Sequence, residues 1–493
     1  MVREPTVLSN ESIGTPVTDR AGHTPAMDQP PLSLTAEQFR ELAERLTGVA
    51  TAYLGEIDAR SIRPPTTGAL ATELFTAAVP AEGLGAAAFD DLELVAEHSR
   101  TGNGRFFGYV FGSGEPVGAL ADFYASVLNQ NLAAWRSSPA AATIERTVVS
   151  WIAAAVACPG FSGILTSGGS AANLMGLAMA REAKAPANEA GAGPCLVYAS
   201  TETHMSIDQA VAMLGIGRAN LRAVPVDAHF RMRPDALAAA IAADRDNGLR
   251  PIAVVANGGT IVTGAVDPLA EIAAVARAND LWLHVDGAYG VAAALAAPEK
   301  FAGIDQADSV SLDAHKWLYQ PLDCGVLLYR DPAAARRAFA FAADYAKPLS
   351  DDPVEGHAFF DESLETSRRF RALKLWLSLR YHGLDAFRSA IAENLRQARL
   401  LADLVDAQGA LERLAPVELS AVCFRWTGAG DRDLDRANAE ILAEVNRRGH
   451  VYLSNADIHG AFALRACVTN HRTTDPDVAA VVAEVLEVAA GLP

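Results

Sequence analysis

Lys316 lies in SLDAHKWLYQPLDCG, just past a short apolar run and between His315 and Trp317. An amine in so apolar a stretch could snorkel at the surface with its stem packed. Held partly desolvated, it would instead be a nucleophile able to form a Schiff base with a carbonyl. Asp286 closes the run LWLHVD and is followed by Gly-Ala-Tyr-Gly. Ligands of open α/β sheets bind outside the carboxyl ends of the strands, so an acid there is placed to meet one. A helix N-cap is the plainer alternative. A metal site at His284-x-Asp286 lacks a third ligand of matching spacing. SGGSAAN (167–173) is a glycine turn opening a helix, and such a turn offers free N–H groups and a positive dipole end to an anion. It is neither GxGxxG nor GxxxxGK[ST], so it indicates neither a dinucleotide nor a nucleoside triphosphate; it fits a phosphate monoester, with Ser170 adding a hydroxyl. His204, in STETHMSIDQAVAMLG, starts a helix after a strand. Its ring could cap that helix, sit satisfied in the core, or lie flat against an aromatic ligand.

Elements of the right kind exist to position these groups. The 493 residues carry 41 basic and 59 acidic side chains, a net charge of −18, which disfavours a nucleic-acid partner. Half of the residues are hydrophobic and 20% charged, enough for a large core. The five cysteines are scattered, with no C-x-x-C pair, which argues against a disulfide framework or a zinc site. No apolar run is long enough for a membrane span and the N-terminus has no signal-peptide core, so the expectation is a soluble, cytoplasmic protein without membrane association. Residues 1–33 read as a loose tail. Thr35 and Gln38 make a capping box that opens a helix with Phe39, Leu42, Leu46 and Val49 on one face, and a second amphipathic run spans Phe89 to His98. Helical stretches then alternate with strand-like runs at Gly163–Thr166, Leu196–Ser200, Ala223–Val226, Ile252–Ala256, Leu281–Asp286, Ser309–Leu312 and Gly325–Tyr329. That alternation predicts an α/β fold, a mostly parallel sheet with helices on both faces. Helices over 143–157, 368–382, 385–407 and 475–490, with strands at Ala421–Trp426 and Phe462–Val468, complete the expectation, the last part forming a small α+β domain. The expected division is a tail (1–33), a helical segment (34–115), a large domain (116–373) and a small domain (374–493).

Together the four features ask for a ligand with a phosphate, an aromatic ring bearing a basic nitrogen, and an aldehyde. Pyridoxal 5′-phosphate meets all three, and it acts as an electron sink for a carbanion at Cα. The chain resembles the group II pyridoxal-phosphate-dependent amino acid decarboxylases, the family of the aromatic-L-amino-acid, histidine and glutamate decarboxylases. The resemblance runs from about residue 90 to 490 through NGRFFGYVFG, SSPAAATIE, SGGSAANL, THMSIDQA, GGTIVTGAVDP, LHVDGAYG, DAHKWLYQPLDCG, SRRFRALKLW and LRACVTNHRTTD. It implies the aspartate-aminotransferase-like fold (fold-type I of the PLP-dependent transferases) and a homodimer. It also implies that Lys316 forms the Schiff base, Asp286 partners the ring nitrogen, His204 stacks on the ring and Ala288 lies beneath it. Gly169, Ser170 and His315 would surround the phosphate, and Thr260 would lie close by. Tyr345, in ADYAK, takes the place of a loop tyrosine that reprotonates Cα, although an exposed loop tyrosine would look the same. Arg465 takes the place of an arginine near the substrate carboxylate, although a salt bridge between domains would explain it equally, and Tyr109 falls in a block that forms the substrate pocket.

The implied reaction is decarboxylation of an L-amino acid to its amine through Lys316, with an aminotransferase or Cα–Cβ lyase on the same fold, or a PLP-binding paralogue without turnover, as rivals. The pocket blocks depart from the aromatic-specific pattern at Val110, Phe111, Gly112 and Ala133, and Ile261 and Val262 stand where smaller or polar residues often sit. An aromatic substrate is the first expectation; acidic, basic and branched aliphatic ones stay open.

Overall fold

The structure, a computed structural model, describes residues 32–341, 352–428, 430 and 432–492. Its residues fall into two units, one of residues up to Gly55 with Phe75–Ala96, the other of Glu56–Leu74 with Glu97 onward. The first contains the helix Ala36–Glu56, opened by a reciprocal cap: Thr35 N–H donates to Gln38 Oε1 at 2.9 Å and Gln38 N–H to Thr35 Oγ1 at 3.1 Å. Its second amphipathic run folds as a 3₁₀ turn (Gly85–Asp90) followed by the helix Asp91–Glu97.

The second unit is built on seven strands: β1 (Ser162–Thr166), β2 (Leu196–Ser200), β3 (Leu221–Val224), β4 (Pro251–Asn257), β5 (Trp282–Asp286), β6 (Ser309–Asp313) and β7 (Gly325–Tyr329). Their spatial order is β1-β7-β6-β5-β4-β2-β3. β6, β5, β4, β2 and β3 pair in parallel, while β7 runs antiparallel to both β6 and β1. Every residue of β2, β5, β6 and β7 is buried, because helices cover both faces. The helix Gly169–Lys184 shows how: its small inner side chains let the backbone come close to the sheet, and a Cβ on Gly176 would stand 2.7 Å from the His284 ring. A second sheet follows from β8 (Leu411–Arg413), β9 (Ala421–Trp426), β10 (Ser454–Ile458) and β11 (Ala461–Cys467), all antiparallel in the order β10-β11-β9-β8. Helices Leu384–Asp406 and Asp475–Ala490 pack on it through Leu401, Val405, Val481 and Val485.

Two helices differ in their starts from the expectation. The one expected from 143 begins at Pro139, whose fixed φ suits a first helical position. The one expected from 368 begins at Ala372, because Arg368 and Arg371 are engaged in ion pairs ahead of it.

Candidate active site

The carboxyl ends of β2, β4, β5 and β6 and the start of the helix Gly169–Lys184 surround a cavity of about 340 Å³. Lys316 enters it from a single helical turn, Ala314–Trp317, that directly follows β6. Its Nζ lies 2.9 Å from Asp313 Oδ2, a carboxylate that is itself buried. The other oxygen, Asp313 Oδ1, is buried with no hydrogen-bond partner among the described residues. His315 Nδ1 accepts the Cys324 N–H at 3.1 Å, and His315 N–H donates to Cys324 O at 3.1 Å, so the turn is tied to the start of β7 by a reciprocal pair of bonds. Burial pushes the His315 imidazole below its ordinary pKa, against the pull of Asp313.

Asp286 ends β5. Its Oδ2 accepts from Asn173 Nδ2 at 2.9 Å, and its Oδ1 from Ser311 Oγ and Ala288 N–H at 3.2 Å each. His204 is the N-cap of the helix Met205–Met213. Its Nδ1 accepts the Ser206 N–H at 3.2 Å and lies 2.9 Å from Ser206 Oγ, which leaves Nε2 to carry the proton of the neutral ring. Burial lowers the His204 pKa, opposed by the Asp286 charge and reinforced by Lys316.

Gly168, Gly169 and Ser170 line the cavity at the positive end of the helix Gly169–Lys184. Gly169 is required there by contact: a Cβ would stand 2.6 Å from Ala288 Cβ and 3.0 Å from Asp313 Oδ2. These residues fit pyridoxal 5′-phosphate: helix N–H groups and Ser170 for the phosphate, Asp286 for a cationic ring nitrogen, Lys316 for the aldehyde, and the unpartnered Asp313 Oδ1 for a donor.

Of the residues singled out in the sequence, Gly169, Ser170, His204, Asp286, Ala288, His315 and Lys316 come together in this lining. Thr260 does not; it is buried in the loop after β4, its Oγ1 paired with Thr263 Oγ1 at 3.0 Å and accepting the Ala265 N–H. Tyr109 is mostly exposed, its hydroxyl 3.1 Å from that of Tyr452, while its neighbour Val110 reaches the lining. Arg465, expected by resemblance near the substrate carboxylate, is not in this lining. It is buried, and its guanidinium donates to the backbone carbonyls of Val262 (2.9 Å), Tyr109 (2.8 Å) and Ile261. It staples two loops beside the cavity. Tyr345 lies outside the described residues. Asp313, Asn173 and Ser206 escaped the reading, although an acid three positions before Lys316 and a carboxamide on an alanine-rich helix were visible signals.

A family model described as the pyridoxal-dependent decarboxylase conserved domain matches residues 76–427. The chain is 33% identical to an aromatic-L-amino-acid decarboxylase of Bacillus atrophaeus, over 91% of this chain and 94% of that one. Among solved structures it is similar to the Oryza sativa TDC with PLP and tryptamine, with a TM-score of 0.87 and 27% identity over 94% of this chain and 99% of that one. It is also similar to 4-hydroxyphenylacetaldehyde synthase of Rhodiola rosea, with a TM-score of 0.84 and 28% identity over 93% and 99%.

Proposed function

The chain belongs to the pyridoxal-dependent decarboxylases and is an amino acid decarboxylase dependent on pyridoxal 5′-phosphate; from that premise we propose that its substrate is an aromatic L-amino acid, released as the amine and CO₂. The observation that carries this reading is the convergence of Lys316, Asp286 and His204, from three separate strand ends, on a cavity walled by Val110, Ile261 and Leu322. Apolar walls with a few fixed polar groups suit an aromatic side chain. When bound, pyridoxal 5′-phosphate supplies a conjugated ring that accepts the electron pair left at Cα as CO₂ departs.

The protein side of the chemistry falls to a few groups. Asp286, which accepts from the Asn173 and Ser311 donors, would pair with a protonated ring nitrogen of the cofactor. Asp313, beside Lys316 Nζ, is the nearest group to exchange a proton with that amine. His204 presents an N–H at Nε2 to an anionic carboxylate. Tyr345, by the family resemblance, returns a proton to Cα; a hydrophobic residue there would leave that carbon open to oxygen chemistry.

Incubation with L-tyrosine, L-tryptophan and L-phenylalanine, with CO₂, amine, aldehyde and ammonia all quantified, tests the reading. The expected result is stoichiometric amine and CO₂ for at least one of them, and a shift toward aldehyde and ammonia in Tyr345→Phe. Turnover confined to glutamate or another non-aromatic amino acid would remove the aromatic assignment, and an unchanged amine yield in the variant would remove the role of Tyr345.

The active form is a dimer in this proposal. Tyr109, Phe111 and Leu322 leave an apolar rim exposed beside the cavity, a surface a soluble chain normally covers. Light scattering of the holoenzyme should give twice the chain mass, and a fully active monomer would refute it.

A further inference from the structure

Behind the cavity, a line of buried polar side chains carries a single direction of hydrogen bonding. Trp282 Nε1 can only donate, and it donates to Ser309 Oγ at 2.9 Å. Ser309 Oγ sits 2.8 Å from His284 Nδ1 and donates there once Asn173, with its NH₂ turned to Asp286, presents its oxygen to the far ring nitrogen. His284 is fully buried, and burial pushes its pKa down to about 4, so its ring is neutral and its proton is on Nε2, 3.0 Å from Asn173 Oδ1. The Asn173 NH₂ group faces Asp286 Oδ2 at 2.9 Å and Ser206 Oγ at 3.0 Å. The opposite orientation would set the amide oxygen against a carboxylate oxygen and turn two donors onto Ser309. All of these side chains but Asp286 are held between the sheet and the helix Gly169–Lys184 or at the start of the next helix, and Gly176 leaves the room that the His284 ring needs.

Resting on the reading of Asp286 as the partner of the cofactor's ring nitrogen, we infer that Asn173 is a positioning residue. Its carboxamide, set between the Asp286 carboxylate and the Trp282–Ser309–His284 line, holds Asp286 aimed into the cavity. The same amide donates to Ser206, which passes its own proton to His204 Nδ1, so one side chain braces both groups that meet the ligand.

The first test is the wild-type holoenzyme labelled with ¹⁵N-histidine, with the His284 signals assigned by their loss in His284→Asn. The expected spectrum has the His284 proton on Nε2; a proton on Nδ1 overturns the inference. The second uses Asn173→Asp, which keeps the shape and the acceptor for His284 but has no N–H to give, and Asn173→Ala. In each, the Kd for pyridoxal 5′-phosphate should rise about tenfold, the scale of a hydrogen bond to a charged group. The pH at which the bound cofactor's visible band changes should move by about one unit. A variant with a lower thermal midpoint but wild-type Kd and wild-type band would show Asn173 to be merely structural and would overturn the inference. Should either variant fail to fold, Ser309→Ala, which removes the donor that fixes the His284 tautomer, should move both readouts in the same direction, and no movement would count against it. Borohydride reduction separates the two levels. A wild-type protein without a pyridoxyl adduct on Lys316 denies the site, whereas adducts in wild type and variants alike with an unchanged Kd deny only the part given to Asn173.

Discussion

Gly169 stands where the phosphate-facing turn, Ala288 and Asp313 meet, and the contact leaves no room for a methyl group. A Cβ there would lie 2.6 Å from Ala288 Cβ and 3.0 Å from Asp313 Oδ2, neither of which is the loose end of a flexible side chain. Gly169→Ala should therefore push the turn away from the strand end at a cost of about 1–3 kcal/mol. Because the strain falls on the cofactor's cradle, it should appear as a rise of roughly tenfold in the Kd for pyridoxal 5′-phosphate, measured by titrating the apoenzyme. An unchanged Kd would mean that the cradle relaxes freely. At this scale the sequence was readable where chemistry coincides with a strand end: Lys316 and Asp286 stand out because apolar runs stop at them. Asn173 and Asp313 left only faint signals, since what makes them matter is a partner from another element. Asn173 meets a residue 113 positions away, and Asp313 owes its burial to the packing of a turn rather than to any local pattern.

Among the elements, the helix Pro139–Ala155 and the segment ahead of helix Ala372–His382 are joined by Glu145 and Arg368, both with no exposed side-chain surface. Arg368 also donates to Leu165 O in β1 and to Leu132 O, and its guanidinium lies 4.6 Å from the centre of the Phe359 ring. Removing one partner would strand a charge in the core. Arg368→Met should therefore destabilise by about 3–5 kcal/mol, and Glu145→Leu combined with it should recover much of the loss. Denaturant unfolding of wild type and the two variants checks this; equal stability of the single and double variants would show that the unpaired carboxylate costs nothing. The strands of the large sheet were legible to within two residues, because burial on both faces writes most of them as largely apolar runs. β8 and β10 were not. Leu411–Arg413 has one buried residue in three, and Ser454–Ile458 carries two buried residues among polar ones, too little pattern to stand out from a loop.

For the molecule as a whole, burial of histidines sets an acid limit. His284, His357 and His471 are each pushed from an ordinary value of 6.5 down to about 4, chiefly by burial. Between those pH values the unfolded chain binds protons that the folded chain does not. Stability is thus fully present above about 6.5 and is lost as pH falls toward 4. Asp267, pushed up to about 6 by burial, works in the opposite sense over the lower part of that window, as do Glu202, Asp308 and Asp361, also raised by burial; five histidines, His204 and His315 included, are lowered. The thermal midpoint should fall between about pH 7.5 and about pH 5.5. His357→Gln should lose less than wild type over the same interval, since His357 packs edge-on against Phe359, outside the cavity, with Arg146, Arg336 and Arg368 opposing its charge. Equal losses would place the sensitivity elsewhere.

The reversed direction of β7 reaches further than its place in the sheet. Asp313 ends β6 directly across from Gly325, where β7 begins, so the eleven residues between them make a short arch whose two feet are bonded to each other. A parallel strand in that position would have needed a long crossover to the far edge. The arch is therefore anchored by its own feet, while the loops after β4 and before Pro116 are held to each other through Arg465. Diversification of what the enzyme accepts can be concentrated in those outer loops, with the amine that starts the reaction kept as a fixed reference point.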